Sequence, residues 1–119
     1  MFNGANPSSI NRSFPLWYHA IYTDGIHPEA RFPRERYRML LSRLQDCEAF
    51  AHMSLKTPEP VHRSDLLLVH DVDYVDRFLN GELEEKEQKR IGLTPWTSTM
   101  VDRTLYLMGG AVEATRHAV

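Results

Sequence analysis

The sequence lacks several features that would assign it to a particular class of protein. It contains a single cysteine, Cys47, so no disulfide can form within the chain, and we expect a reducing, cytoplasmic setting. Its longest apolar runs are four residues, as in residues 66–69, far below the ~20 needed to cross a membrane. The amino terminus has no basic segment followed by an apolar one, and so does not predict a secretory signal.

The charge balance excludes a second set of functions. The formal net charge is −2, from 14 basic and 16 acidic side chains in 119 residues. We therefore expect neither a nucleic-acid partner nor a membrane partner, because both require a basic face. A hydrophobic content of 42% is ordinary for one small globular domain. Residues 1–13, rich in asparagine and serine, predict a flexible arm, and residues 14–119 predict the folded part.

The first half of the folded part predicts one strand and one long helix. Residues 15–22 are apolar or aromatic on both alternating faces, which is typical of a strand covered on both sides. Pro33 suits a helix start, and apolar spacing continues the helix to about residue 52. Residues 57–60 predict a stiff connector. The strand has no partner in this pattern, so the sequence indicates an α/β fold whose sheet is incomplete.

Capping residues predict the later helices. Ser64 suits the cap of a short helical turn, and Asp71 suits the cap of a helix that Asn80-Gly81 ends. The charged segment that follows predicts a solvated helix ending at Gly92.

The last predicted helix carries two glycines in its interior. Thr99 is expected to cap this helix, with an aspartate three residues later in the spacing of a capping box. Gly109 and Gly110 each cost the helix about 1 kcal/mol relative to alanine. We therefore expect a neighbouring backbone to pack closely against them.

The densest group of potential metal ligands is His70-Asp71-Val72-Asp73. Zinc requires at least three converging ligands, and the other histidines show no spacing that would bring them together. Asp71 already has a structural explanation as a helix cap. We therefore predict no metal site and no catalytic residue in this chain.

Two other features have a functional and a structural interpretation. Cys47 falls on the apolar stripe of the first predicted helix, so we interpret it as a small buried hydrophobe rather than a nucleophile. A run of arginines could bind an anion. The favoured interpretation is that these arginines lie on the solvent-exposed face of an amphipathic helix. The arginines concerned are Arg31, Arg34, Arg36, Arg38 and Arg43.

Several segments in fixed order over residues 15–119 resemble the bacterial histone-deacetylase-like and acetoin-utilisation-type proteins. They are Leu16-Trp17-Tyr18-His19-Ala20-Ile21-Tyr22, Arg31-Phe32-Pro33-Arg34-Glu35-Arg36-Tyr37, Asp65-Leu66-Leu67-Leu68-Val69-His70-Asp71-Val72-Asp73-Tyr74-Val75, residues 90–96, and the helix with Gly109-Gly110-Ala111. The resemblance implies an arginase/deacetylase-type fold with a parallel sheet. It also implies zinc-dependent hydrolysis of acetyl-lysine or acetylated amines.

The resemblance carries little onto individual residues of this chain. The family's zinc ligands and histidine pair, in motifs such as Gly-Gly-x-His-His, have no counterpart here. We therefore expect an incomplete, amino-terminal deacetylase-like domain that is inactive alone. Arg36 corresponds to a basic residue that lines an internal channel in many relatives, with a solvated helix arginine as the alternative. Residues 92–95 lack the aspartate that holds the substrate backbone in class I-like relatives, so both substrate classes stay open.

Two functional hypotheses follow from the sequence. One is the amino-terminal scaffold of a deacetylase-like hydrolase, and the other is a stand-alone helical interaction module. An unpaired strand and exposed apolar helix stripes are typical of an interface, so we expect a homo-oligomer.

Overall fold

The computed structural model describes residues 13–119. The flexible arm predicted for residues 1–13 therefore lies outside the described residues, apart from its last position. In chain order the elements are β1 (Phe14–Trp17), α1 (Ile21–Asp24), α2 (Arg36–Gln45), a 3₁₀ helix (Glu48–His52), β2 (Met53–Lys56), α3 (Arg63–Leu66), α4 (Val72–Leu79), α5 (Glu85–Ile91) and α6 (Thr99–Ala118). Within this part of the chain, no helix has the length and apolar character that crossing a membrane requires.

The protein is mostly helical with a two-stranded parallel sheet. Phe14 of β1 lies opposite Met53 of β2, and Trp17 lies opposite Lys56. Tyr18 extends the pairing by donating its N–H to the Lys56 carbonyl at 3.0 Å. The expectation that the first strand has no partner in this chain is wrong. At four residues, β2 is too short to show the alternation from which a strand is predicted.

The strand predicted over residues 15–22 ends early. His19 Nδ1 accepts the Ile21 N–H at 3.0 Å, and the His19 carbonyl accepts the Tyr22 N–H at 3.0 Å. These two hydrogen bonds turn the backbone out of β1 and into α1. As a result Tyr22 is a helical residue, and only 4% of its surface is exposed.

The long helix predicted from Pro33 to about residue 52 is divided. Arg36 donates its N–H to the Pro33 carbonyl at 3.0 Å, so Pro33 belongs to the turn before α2. Cys47 has extended backbone angles, which separate α2 from the 3₁₀ helix. Because it lies beyond the end of the helix, Cys47 is exposed, and its interpretation as a buried hydrophobe is wrong.

Three of the predicted helix boundaries are confirmed. The Asp71 carboxylate accepts the Asp73 N–H at 3.1 Å and caps α4. Asn80 is the C-cap of that helix, and Gly81 follows with a φ of 74°. Gly92 ends α5 with a φ of 89°, a left-handed conformation in which glycine has no Cβ penalty.

The other two predicted caps are wrong. Ser64 lies inside α3, whose N-cap is His62. Thr99 is the first residue of α6, whose N-cap is Ser98. The Thr99 hydroxyl lies 3.1 Å from the Thr97 hydroxyl and hydrogen-bonds there instead of to the helix backbone.

The extended segment that follows β2 lies directly against α6. A Cβ built on Gly109 would lie 1.7 Å from the Glu59 carbonyl oxygen. Val61 donates its N–H to the Leu105 carbonyl at 2.9 Å, and Glu59 donates its N–H to the Glu113 carboxylate at 2.8 Å. The close backbone packing predicted at the glycine pair is therefore confirmed.

Candidate functional site

The residues predicted as the densest group of potential metal ligands do not converge. The Asp71 carboxylate caps α4, and Asp73 Oδ2 accepts from Arg77 Nε at 2.9 Å. His70 is exposed, with its ring 5.9 Å from the ring of Tyr74. Within residues 13–119, no three side chains of His, Cys, Asp or Glu lie close enough together to hold a metal ion. These residues do not fit the zinc that the resemblance implies, so no chemical step is assigned to a metal here.

Two arginines of the predicted run have structural partners. Arg38 forms ion pairs with Asp24 at 2.9 Å and with Glu35 at 3.2 Å. Arg34 Nε donates to the Ile26 carbonyl at 3.1 Å. Exposed ion pairs of this kind contribute little to stability. These two side chains contact the end of α1 and the loop before α2.

Arg36 lies on aromatic side chains at the start of α2. Its guanidinium carbon is 5.0 Å from the centre of the Phe32 ring and 4.8 Å from the centre of the Tyr37 ring. Its Nη2 donates to the Tyr37 hydroxyl at 3.0 Å. Cation–π contacts of this length orient the side chain although the residue is exposed. The channel-lining role of Arg36 stays a prediction.

A second arginine, Arg103 of α6, contacts the same aromatic ring, that of Phe32. This residue was not predicted from the sequence. Arg103 is 4% exposed, its Nε donates to the Tyr22 carbonyl at 2.9 Å, and its guanidinium carbon lies 5.5 Å from the Phe32 ring centre. One signal could have identified it: Arg103 precedes Gly110 by two helical turns and so shares the face of α6 that packs inward. The structure thus brings Arg36 and Arg103 to one ring, whereas Cys47 and the 70–73 segment lie elsewhere.

The electrostatics around Arg103 are unfavourable to a charge. Burial lowers the pKa of the Arg103 guanidinium, and the positive charge of Arg36 lowers it further, while the hydroxyls of Tyr37 and Tyr22 act in the opposite direction. The ion pairs within 4.0 Å in the described residues do not include Arg103. A buried charge normally has an oppositely charged partner.

Tyr22 is the second buried polar group of this region. Burial raises the pKa of its hydroxyl to about 12, with further contributions from Tyr37 and Glu113. The hydroxyl donates to the Tyr106 carbonyl at 3.4 Å. Tyr22 is therefore a neutral hydrogen-bond donor near neutral pH and is unsuited to act as a base.

A groove of about 740 Å³ runs between α6 on one side and α3, α4 and α5 on the other. Its walls are mainly apolar, and Arg103 is one of its few charged lining residues. Phe78 and Trp96 meet edge to face on one wall, with ring centres 6.4 Å apart. The large apolar side chains along the groove include Leu66, Val69, Tyr74, Met100 and Leu107. This arrangement offers a mainly apolar surface.

Comparison with known proteins assigns the chain to a family. The sequence profile of the histone deacetylase domain matches residues 27–119, which include every element from α2 to α6. An uncharacterized protein of Picosynechococcus sp. is 38% identical over 99 residues, which are 83% of this chain and 33% of that protein. The chain thus spans about a third of the length of this relative. It belongs to the histone deacetylase family.

Proposed function

We propose that this chain is the amino-terminal scaffold of a zinc-dependent, histone-deacetylase-like amide hydrolase with the arginase/deacetylase fold. The observation that carries the proposal is the family match, which is continuous from the loop before α2 to the end of α6. The parallel pairing of β1 and β2 across intervening helices supports it, because that connection is typical of α/β folds. The substrate class we propose is acetyl-lysine or an acetylated amine.

In this proposal the described residues have a structural role. Backbone hydrogen bonds and the close approach at Gly109 fix α6 against the segment after β2. Arg103 ties α6 to α1 through the Tyr22 carbonyl. We assign Arg36 to the wall of an internal channel, since its contacts with Phe32 and Tyr37 hold a positive charge in a fixed place. Zinc ligands and the groups that move protons would be supplied by other residues.

Hydrolysis by the purified chain tests this proposal. We expect an acetyl-lysine peptide and an acetylated polyamine to be hydrolysed no faster than in buffer, with or without added zinc. Amide hydrolysis of this kind needs a metal-activated water and a positioned base, and the described residues contain no cluster of His, Cys, Asp or Glu that could hold the metal. Turnover that a chelator abolishes would overturn the proposal, because the chain would then contain a complete site.

A stand-alone helical interaction module is the second candidate function, and the exposed apolar surface favours it. Leu68 is 80% exposed and Val69 is 78% exposed, and both belong to the rim of the groove. Adjacent exposed apolar side chains of this kind usually mark an interface. We propose that two copies of the chain associate through this rim, with twofold symmetry as the simplest closed arrangement.

Sedimentation equilibrium at micromolar concentration tests the association. We expect a dimer or higher oligomer, and we expect replacement of Leu68 and Val69 together by glutamate to dissociate it. Ser64→Glu, at an exposed position on the neighbouring helix α3, is the matched control and should leave association unchanged. A folded monomer at all concentrations would exclude the oligomer.

A further inference from the structure

One side of α2 presents exposed apolar side chains between two arginines. Four residues share this side at the spacing i, i+3, i+4 and i+7, and we call them the α2 face: Arg36, Met39, Leu40 and Arg43. Met39 is 64% exposed and Leu40 is 56% exposed. The face lines a shallow depression of about 630 Å³, to which its arginines contribute mainly their aliphatic stems. Adjoining exposed apolar side chains of this kind usually mark an interface.

The charge around the α2 face is positive although the chain is acidic overall. Residues 31–46 contain five arginines against one glutamate and one aspartate, a net charge of +3. The formal net charge of the whole chain is −2, so the remaining residues total −5. Glu35, the one carboxylate that lines the depression, is paired with Arg34 at 3.3 Å and with Arg38 at 3.2 Å. An acidic group that approaches the face therefore meets a local surplus of positive charge.

Charge and size together select the kind of molecule that fits this face. Residues 1–12 contain one arginine and neither aspartate nor glutamate, so they match it poorly. An anionic membrane would be repelled by the net negative charge of the other residues. Two exposed large apolar side chains are also few for a helix that lies in a membrane surface. A protein segment with acidic and apolar side chains on one side complements both properties of the face.

We propose that the α2 face binds an acidic amphipathic helix of another protein. Apolar side chains of the partner pack on Met39 and Leu40, and a carboxylate of the partner lies beside Arg43. A helix fits because α2 has ten residues, a length of about 15 Å, and rows of side chains on two helices interlock. The proposal rests on these three residues. It is independent of the channel role assigned to Arg36 and of the proposed hydrolase function.

Titration of the ¹⁵N-labelled protein with a designed helical peptide tests the proposal. The probe is acetyl-Glu-Ala-Leu-Leu-Glu-Ala-Leu-Leu-Glu-Ala-Leu-Leu-Glu-amide, whose leucines and glutamates lie on adjoining sides of a helix. We expect saturable shifts of the α2 amide resonances, with a dissociation constant of about 100 µM or tighter. Raising sodium chloride from about 50 mM to about 500 mM should weaken binding roughly fivefold, because salt screens exposed charges. The same peptide with lysine at every glutamate position should leave the α2 resonances unshifted.

Matched variants separate the α2 face from the rest of the surface. Arg43→Glu should weaken binding of the glutamate peptide roughly tenfold, whereas Arg90→Glu, the same change at an exposed position of α5, should alter it less than about twofold. Met39→Ser should weaken binding roughly fivefold, whereas Leu68→Ser, at the rim of the groove, should not weaken it. All four side chains are exposed, so the variants should fold, which circular dichroism checks. With the lysine peptide, Arg43→Glu should show α2 shifts that Arg90→Glu does not.

Other results of the same experiments would overturn the inference. One is the absence of α2 shifts at about 1 mM glutamate peptide, and another is an equal effect of Arg43→Glu and Arg90→Glu. Stronger α2 shifts with phosphatidylserine–phosphatidylcholine vesicles than with the peptide would assign the face to a membrane. A dimer in sedimentation equilibrium that Met39→Ser dissociates and Leu68→Ser leaves intact would assign it to a second copy of the chain.

Discussion

Replacement of Gly109 by alanine tests the packing on which the whole arrangement of α6 depends. Alanine improves helix propensity by about 1 kcal/mol, so an uncrowded glycine at this position would give a more stable protein. The structure predicts the opposite, because the new Cβ would lie 1.7 Å from the Glu59 carbonyl oxygen. Relieving that overlap requires backbone movement, at a cost of roughly 1–3 kcal/mol for overpacking. It also strains the hydrogen bond from Val61 to Leu105, worth about 1 kcal/mol.

The expected net effect is a loss of about 2 kcal/mol in the free energy of unfolding, after the propensity gain is subtracted. Urea denaturation followed by circular dichroism at 222 nm measures it. Gly110→Ala should cost less, because its Cβ would meet the Tyr22 hydroxyl at 2.8 Å, the end of a side chain that can shift. Ala114→Gly, on the exposed side of α6, gives the propensity term alone, about 1 kcal/mol. A Gly109→Ala protein as stable as the wild type would refute the close approach.

Substitutions at three further positions test other parts of the structure. Asp71→Ala should cost about 1 kcal/mol of unfolding free energy by removing the cap of α4, whereas Asp71→Ser should restore most of it; thermal denaturation compares the two. Thr23→Val should stabilise the protein by about 1 kcal/mol, because the Thr23 hydroxyl is fully buried without a partner; a destabilised variant would show that the hydroxyl is bonded. Tyr22 has a folded pKa of about 12 against an ordinary value of 10, so its contribution to stability is complete below pH 10 and is lost as pH rises towards 12. Tyr22→Phe should remove that contribution, together with the latest step in an absorbance titration of the tyrosines.

Local sequence rules predicted those features whose cause is local. Asp71 caps α4 through an N–H two residues away, and Gly92 ends α5 through its own backbone conformation. The cost of Gly109 inside a helix is likewise visible in the sequence, and it correctly indicated a close neighbour. The family resemblance depended on ordered segments and was confirmed by the match over residues 27–119.

The features that sequence reasoning missed depend on contacts between distant segments. β2 becomes a strand by pairing with β1, and its four residues show no pattern alone. Arg103 was overlooked because an arginine in an amphipathic helix is usually exposed, and its burial follows from contacts with Tyr22 and Phe32, which are more than 70 positions away. Cys47 was misplaced because apolar spacing continues past the point where the helix ends.

Isothermal titration of the purified 119-residue protein with zinc chloride tests whether this chain is a scaffold without a complete metal site. We predict no stoichiometric binding of submicromolar affinity, because zinc needs at least three converging ligands. A His62→Ala, His70→Ala double variant is the control for weak zinc binding by these two exposed histidines. Any weak binding that they cause should be lost in this variant. One zinc per chain, bound with submicromolar affinity and tetrahedral coordination, would show that the chain contains a complete metal site.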